Sequence, residues 1–326
     1  MKALVYTGPE AMEFRDAADP EPLNGEVIIR IDSVGICGSD MHGYLGHDAR
    51  RPAPLILGHE AAGVVVGGPR DGERVTVNPL VVSKDSPARK AGREHICPNR
   101  QIISMPPREG AFAQYLRIPE ENLVTVPDEF ELEKAALVEP LSVSWHAAKL
   151  GLNALHDASD RRALIIGGGA IGVAAALALK AMGCEDVIVS EPNPTRRAFL
   201  DAHCDFPTTA APSGSYPLII DAVGYAGTRK VASELIEPGG VIVHLGLGDG
   251  EGGLDIRKMT LQEITVIGSY CYTAQEFRDC AQALFDGRLG TPNWTETRPL
   301  ADGAQAFGDI RAGRVPAPKI ILKPDA

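Results

Sequence analysis

No run of basic residues occurs in this 326-residue chain, which sets 43 Asp and Glu against 32 Lys and Arg for a net charge of −11. An acidic balance without a cationic stripe argues against nucleic acid and anionic membrane as partners. A signal peptide is also missing. Met1-Lys2-Ala3-Leu4-Val5-Tyr6 has no apolar core or cleavage site and reads as a first strand. The six cysteines, at 37, 97, 184, 204, 271 and 280, are too scattered for a secreted disulfide framework. Reduced thiols and a cytoplasmic location are therefore expected. The nearest approach to a membrane span, Ala163 to Leu179, contains four glycines in a strand-then-turn pattern and reads as a buried βα unit. There is no internal repeat and no low-complexity segment.

What is present fits an ordinary globular protein of about two domains, with 44% hydrophobic and 23% charged residues. Up to about residue 80, short β-branched runs such as Val27 to Ile31, Gly63 to Val66 and Glu73 to Val77 are broken by Gly, Pro and Asp. They predict a β-rich, partly barrel-like domain with no long helix. Residues 81–110 read as an irregular exposed excursion. A helical region is expected from Glu133 onward, with Pro140 marking a turn or kink that aims Glu139. From Arg162 the pattern changes to apolar strands (Ala163 to Ile166, Asp186 to Glu191, Leu218 to Gly224, Gly240 to Gly246, Ile264 to Ser269) alternating with helical stretches. That alternation predicts α/β architecture, a parallel sheet covered on both faces.

Two motifs carry chemistry. Cys37, read with Gly58-His59-Glu60, offers a thiolate, an imidazole and a carboxylate. These are the donors a catalytic zinc takes in a site that keeps one position open. The plain alternative for either residue alone is a buried thiol or a core histidine. Loops leaving strands would carry both. Gly167-x-Gly169-x-x-Gly172 follows an apolar strand, opens an alanine-rich helix, and has Glu191 about 20 residues on at the end of the next strand. Such a loop lets a pyrophosphate approach the backbone at a helix N-terminus. Glu191 would accept hydrogen bonds from the adenosine ribose and repel a 2′-phosphate, favouring NAD. Arg196 and Arg197 weigh the other way or simply begin a solvated helix. A metal beside a dinucleotide implies hydride transfer, with the metal polarising the substrate oxygen. Ser39 would then take the hydroxyl proton and His42 pass it to solvent.

Gly35-Ile36-Cys37-Gly38-Ser39-Asp40-x-His42, Gly58-His59-Glu60, Val138-Glu139-Pro140-Leu141 and the Gly167 to Gly172 loop, in this order, resemble a zinc-dependent medium-chain dehydrogenase. The likeness runs from Met1 to about Leu322. It is nearest the sorbitol, threonine and idonate dehydrogenase branch, because Glu139-Pro140 stands where other alcohol dehydrogenases carry a cysteine. The resemblance implies a Rossmann doubly wound sheet at 146–272, inserted into a β-rich GroES-like catalytic domain formed by 1–145 and 273–326. It implies zinc on Cys37 and His59, with Glu60 and Glu139 as direct, alternating or water-bridged ligands. It also places Ile171, Glu191, Arg196, Leu245, Gly246, Leu247, Ser269 and Tyr270 around NAD. The expected substrate is a small alcohol with a secondary hydroxyl, on a polyol, sugar or sugar acid, and the expected assembly a homodimer or homotetramer. Tyr44, His47, Arg108 and Tyr270 are candidates to line the pocket.

Two departures stand out. The family's structural-zinc lobe needs cysteines spaced C-x2-C-x2-C-x7-C; counting back from Cys97, those positions hold Ser83, Ser86 and Arg89. One thiolate cannot hold a tetrahedral structural zinc, so that metal is expected to be absent and the loop shortened, mobile or held by ion pairs. Cys271 stands where polyol dehydrogenases often have an arginine. Two other readings stay open: a zinc-free NADPH-dependent enone or quinone reductase of the same fold, and an inactive dinucleotide-binding protein.

Overall fold

The computed structural model describes residues 1–157 and 160–325; Ala158 and Ser159, inside the predicted 146–272 segment, and Ala326, at the end of 273–326, lie outside the described residues. Strands near the two ends of the chain share one sheet. Glu26–Gly35 pairs antiparallel with Glu60–Val66 on one side and with Lys319–Lys323 on the other. The register sets Gly35 directly across from Glu60 and beside Ile321. Successive residues of a strand point to opposite faces, so this register fixes which end of the sheet receives the Glu60 carboxylate. Gly35 is required there, because a Cβ would collide with Glu60 Oε2. Apolar residues of these strands, including Ile29, Ile31, Val34 and Ala61, are buried with Phe112, Phe307 and Leu322 in one core.

The second sheet is wholly parallel. Its strand order is Thr208–Thr209, Val187–Ser190, Ala163–Ile166, Tyr216–Asp221, Ile236–His244 and Thr265–Gly268. Strands buried on both faces need apolar side chains throughout, which Ala163 to Ile166 and Leu218 to Ile220 supply. The order reverses on either side of Ala163–Ile166. Chain connections therefore leave in opposite directions there and open a crevice at the carboxyl ends of the strands.

Helix Val138–Ala154 runs from the first sheet's side into the core beneath the second. Pro140 lies within it. The proline is its third residue, in the first turn, where a missing N–H costs nothing. Before residue 80, where no long helix is expected, there is one short helix among the described residues. Gly38–Tyr44 is a short helix with Cys37 as its N-cap, so Ser39 and His42 are helical. Seven residues are too few to give a readable period.

The lobe at 81–102 is ordered. Leu80–Val81 pairs with Gln101–Ile102, and a turn of helix at Pro87–Lys90 lies between. Ser86 Oγ contacts the buried Cys97 Sγ at 3.2 Å. Arg89 donates to the Val82 carbonyl at 2.8 Å and forks onto Glu121 at 2.8 and 3.1 Å. Among the options expected for this loop, ion pairing is the one observed.

Glu276 ties helix Val138–Ala154 to helix Ala274–Phe285. Its carboxylate meets His146 Nδ1 at 2.9 Å and Lys149 Nζ at 3.2 Å, and accepts from the Thr273 N–H at 2.9 Å. Burial alone would raise its pKa, but these partners hold it down at about 2. A carboxylate depressed in the folded state stabilises above its unfolded pKa of about 4.5, and that contribution fades as pH falls toward 2. Glu276→Gln is expected to lower stability at pH 7 by about 1–3 kcal/mol. In urea unfolding curves, the gap between variant and wild type should narrow at pH 3; a gap independent of pH would refute the assignment.

Candidate active site and metal centre

Cys37 lies two residues past the end of Glu26–Gly35 and caps the next helix, His59 directly precedes the neighbouring strand, and Glu60 opens it. The register therefore brings the three side chains together. Their donor atoms all lie within 4.8 Å of one another. Asp40 sets the geometry. It is fully buried, and one oxygen accepts from the Cys37 N–H at 3.0 Å while the other accepts from the Gly58 N–H at 3.2 Å. That second oxygen is also 3.4 Å from His59 Nδ1. Ser104 Oγ faces the same nitrogen at 3.4 Å. An acidic partner on Nδ1 places the proton there and frees Nε2 as a ligand lone pair.

The electrostatics call for a cation. Burial opposes charge on His59, yet Asp40 and Cys37 hold its pKa well above the ordinary histidine value. Glu60 Oε1 is paired with the buried Lys319 Nζ at 2.6 Å, whereas Glu60 Oε2 is buried with no hydrogen-bond partner. An orphaned buried carboxylate oxygen beside a thiol and an imidazole lone pair is the donor set zinc accepts. The residues present fit that ion.

Glu139 faces the same cavity but does not join the three clustered donors. Its Oε1 accepts from the Tyr272 hydroxyl at 2.8 Å. Burial pushes its carboxyl up to about 7, and the neighbouring Glu60 adds to the rise against the pull of His59. Ser39 Oγ is 3.5 Å from His59 Nε2 and 3.4 Å from Arg51 Nη2. His42 lines the cavity one helical turn along. No hydrogen bond joins Ser39 and His42 among the described residues.

The cavity, about 350 Å³, is shared by both sheets. Cys37, Ser39, His59 and Glu139 form one wall; Ile171, Val223, Leu245, Gly246, Leu247, Ser269 and Tyr270, from the strand ends of the parallel sheet, form the other. A second cleft continues from it past Gly169, Ile171 and Arg196. Gly167 (φ +106°) and Gly172 pack against each other so closely that a Cβ on Gly172 would strike the Gly167 carbonyl. A Cβ on Gly169 would meet nothing nearer than Arg196 at 3.9 Å, which leaves open space above the loop. Glu191 is buried beneath it, accepting from the Gly168 N–H at 3.1 Å and the Asn193 N–H at 2.8 Å.

Tyr270 is the only one of the four pocket-lining candidates in the cavity wall. Tyr44 is buried against Phe307, and Arg108 is paired with Glu26. His47 is exposed, its ring 6.5 Å from that of His42. Reading the sequence missed Asp40, Arg51, Tyr272 and Lys319. Only Asp40 left a signal, an acidic residue three positions after a helix cap.

Residues 23–128 match the alcohol dehydrogenase GroES-like domain and 208–286 the zinc-binding dehydrogenase family. The chain is 31% identical to the 2-dehydro-3-deoxy-L-galactonate 5-dehydrogenase of Pseudoalteromonas atlantica, over 95% of each chain. It is 29% identical to the L-galactonate-5-dehydrogenase of Escherichia coli, over 94% of each. Galactitol-1-phosphate dehydrogenase from Escherichia coli superposes with a TM-score of 0.87 at 25% identity, covering 99% of this chain and 100% of that one.

Asp40→Asn should weaken zinc binding by about 10–100-fold, because the ligand histidine loses its anionic partner. Competition against a chromophoric chelator measures this directly. Unchanged affinity would remove Asp40 from the site's support.

Proposed function

Because this chain belongs to the zinc-dependent medium-chain alcohol dehydrogenase family, in its polyol dehydrogenase branch, we propose that it oxidises a secondary hydroxyl of a polyol, sugar or sugar acid with NAD, using a single zinc. The observation that carries this is one cavity walled on one side by Cys37, His59 and Glu139 and on the other by the strand ends of the parallel sheet. The metal would rest on Cys37, His59 and Glu60, with Glu139 in reach as an alternate or water-bridged donor. A bound zinc supplies Lewis acidity toward the substrate hydroxyl, and bound NAD supplies the hydride acceptor.

The protein's own groups do the rest. Ser39 sits beside His59 and relays the hydroxyl proton, its Oγ accepting that proton as it gives its own onward, and the Arg51 N–H directed at Oγ at 3.4 Å orients the hydroxyl. His42, exposed on the same helix, passes the proton outward through a bridging hydroxyl or water. Lys319 holds Glu60 in place, and Tyr272 holds Glu139. Glu191 is the cofactor discriminant: its fixed, buried carboxylate at the second strand's end favours NAD over NADP.

A single zinc per chain is the reading that the lobe at 81–102 supports, with Arg89 and Glu121 paired across it. Among the described residues no helix is long and apolar enough to cross a membrane. We take the working form to be a cytoplasmic homodimer or homotetramer, joined through the exposed edge strand Thr265–Gly268.

Cys37→Ser should lose zinc and turnover together while NADH still binds, as read by elemental analysis and by quenching of protein fluorescence. Wild type should hold about one zinc per chain, since among the described residues one complete donor set is present; two would overturn the reading of the lobe, and none would favour the zinc-free reductase. Glu191→Ala should raise the NADP-to-NAD ratio of kcat/KM by about tenfold or more. An unaltered ratio would take cofactor choice away from Glu191.

A further inference from the structure

One tight turn in the cavity wall is built on an unusual residue. The Met105 N–H donates to the Ile102 carbonyl at 3.2 Å and closes the turn, and the Ile103 N–H is pinned to the Pro79 carbonyl at 3.2 Å. Pro79, Ile102 and Met105 all line the cavity. The third residue of the turn, Ser104, has φ +72°. A left-handed backbone at this position suits glycine or asparagine and strains other residues. Ser104 is also fully buried, so a solvated loop does not account for the serine. Both ends of the residue face the site. Its carbonyl accepts from Arg51 Nε at 3.2 Å, and Arg51 Nη2 reaches Ser39 Oγ at 3.4 Å. Its hydroxyl stands 3.4 Å from His59 Nδ1, the same distance as the Asp40 carboxylate. An extended or right-handed backbone at residue 104 would turn the side chain and the carbonyl in other directions.

A strained residue kept where glycine would be relaxed marks a functional constraint. A single acceptor leaves an imidazole ring free to swing about the line that joins them. Two acceptors sharing the Nδ1 proton fix the plane of the ring, and with it the direction of the Nε2 lone pair. We propose that Ser104 is a positioning residue for the metal centre: its hydroxyl, with Asp40, sets the plane of the His59 ring so that the free nitrogen serves the Cys37 and Glu60 donors. The left-handed turn is the conformation that lets the hydroxyl reach His59 while the carbonyl holds Arg51. This rests on the zinc reading above and adds to it a residue outside the donor set.

The test compares Ser104→Ala with Ser104→Gly in the full chain. Both remove the hydroxyl, and only glycine relaxes the turn. Zinc affinity, read by competition with a chromophoric chelator, should fall by about tenfold in both variants. In the metal-free proteins Ser104→Gly should melt about 2–4 °C above Ser104→Ala. Cobalt in place of zinc supplies a readout that fold stability does not move: the visible bands of the cobalt-loaded protein report the arrangement of its ligands and should shift alike in both variants. Zinc affinity within about twofold of wild type in both variants, or cobalt bands that stay in place, would overturn the role of Ser104. A loss in Ser104→Ala that Ser104→Gly restores would assign the effect to backbone strain and overturn the role of the hydroxyl. Wild type that takes up no zinc would overturn the metal reading itself, and the place of Ser104 with it.

Discussion

A single buried carboxylate holds the reactive end of this protein together. Asp40 accepts from the backbone of Cys37 and of Gly58 and faces the ring of His59. One side chain thereby fixes the two turns that carry a thiol and an imidazole and selects the imidazole tautomer. A carboxylate taken wholly out of water is expensive unless its oxygens are satisfied. Here two N–H groups and a histidine pay that cost, and Arg51 helps to keep its pKa below the usual value despite burial. Loss of Asp40 would free both turns at once, so geometry and tautomer are not separable functions of this residue.

The second constraint is register. Glu60 lies across from Gly35, and Lys319 arrives on the strand that pairs with the other edge of Glu26–Gly35. Lys319 Nζ bonds both the Ile36 carbonyl at 2.8 Å and Glu60 Oε1 at 2.6 Å. The buried ion pair ties the C-terminal strand to the metal centre. It also spends one carboxylate oxygen and leaves the other, Oε2, without a partner. A pair of this kind adds little net stability, since desolvation offsets the attraction; what it adds is direction, aiming one oxygen at a defined point.

These two constraints explain how far the sequence could be read. Cys37, His59 and the glycine loop announce themselves because spacing within a short stretch carries their meaning: a turn, a strand end, a helix start. The parallel sheet was legible because strands buried on both faces need unbroken apolar runs. Lys319 and Tyr272 were not legible, since their partners are 259 and 133 residues away and nothing local marks the encounter. The helix Gly38–Tyr44 escaped notice for another reason: at 7 residues it is too short for a period, and Cys37 is an uncommon cap. The lobe at 81–102 was legible in its shortage of thiols and in ion pairing as one way to hold it, but not in which residues pair, because the Arg89 partner Glu121 lies beyond the loop.

Charge in the cavity is graded along its length. At the inner end, the carboxyl groups of Asp40, Glu60 and Glu139 gather beside Cys37, with Lys319 and Arg51 as cations facing them. Burial chiefly, and Glu60 beside it, push the Glu139 carboxyl up to about 7, while Asp40 and Cys37 hold a proton on His59 against its burial. At the outer end, Arg50 and Arg51 line the cavity and share Asp48. Two such regions in one small cavity attract opposite charges, so a mobile ion is drawn to one end before it is bound. A cation settles inward, and Arg51 spans the gap from Asp48 to Ser39. Attraction of this kind acts before contact and needs no polar lining along the way, which accords with the apolar side chains Leu80, Ile102 and Met105 along the middle of the cavity.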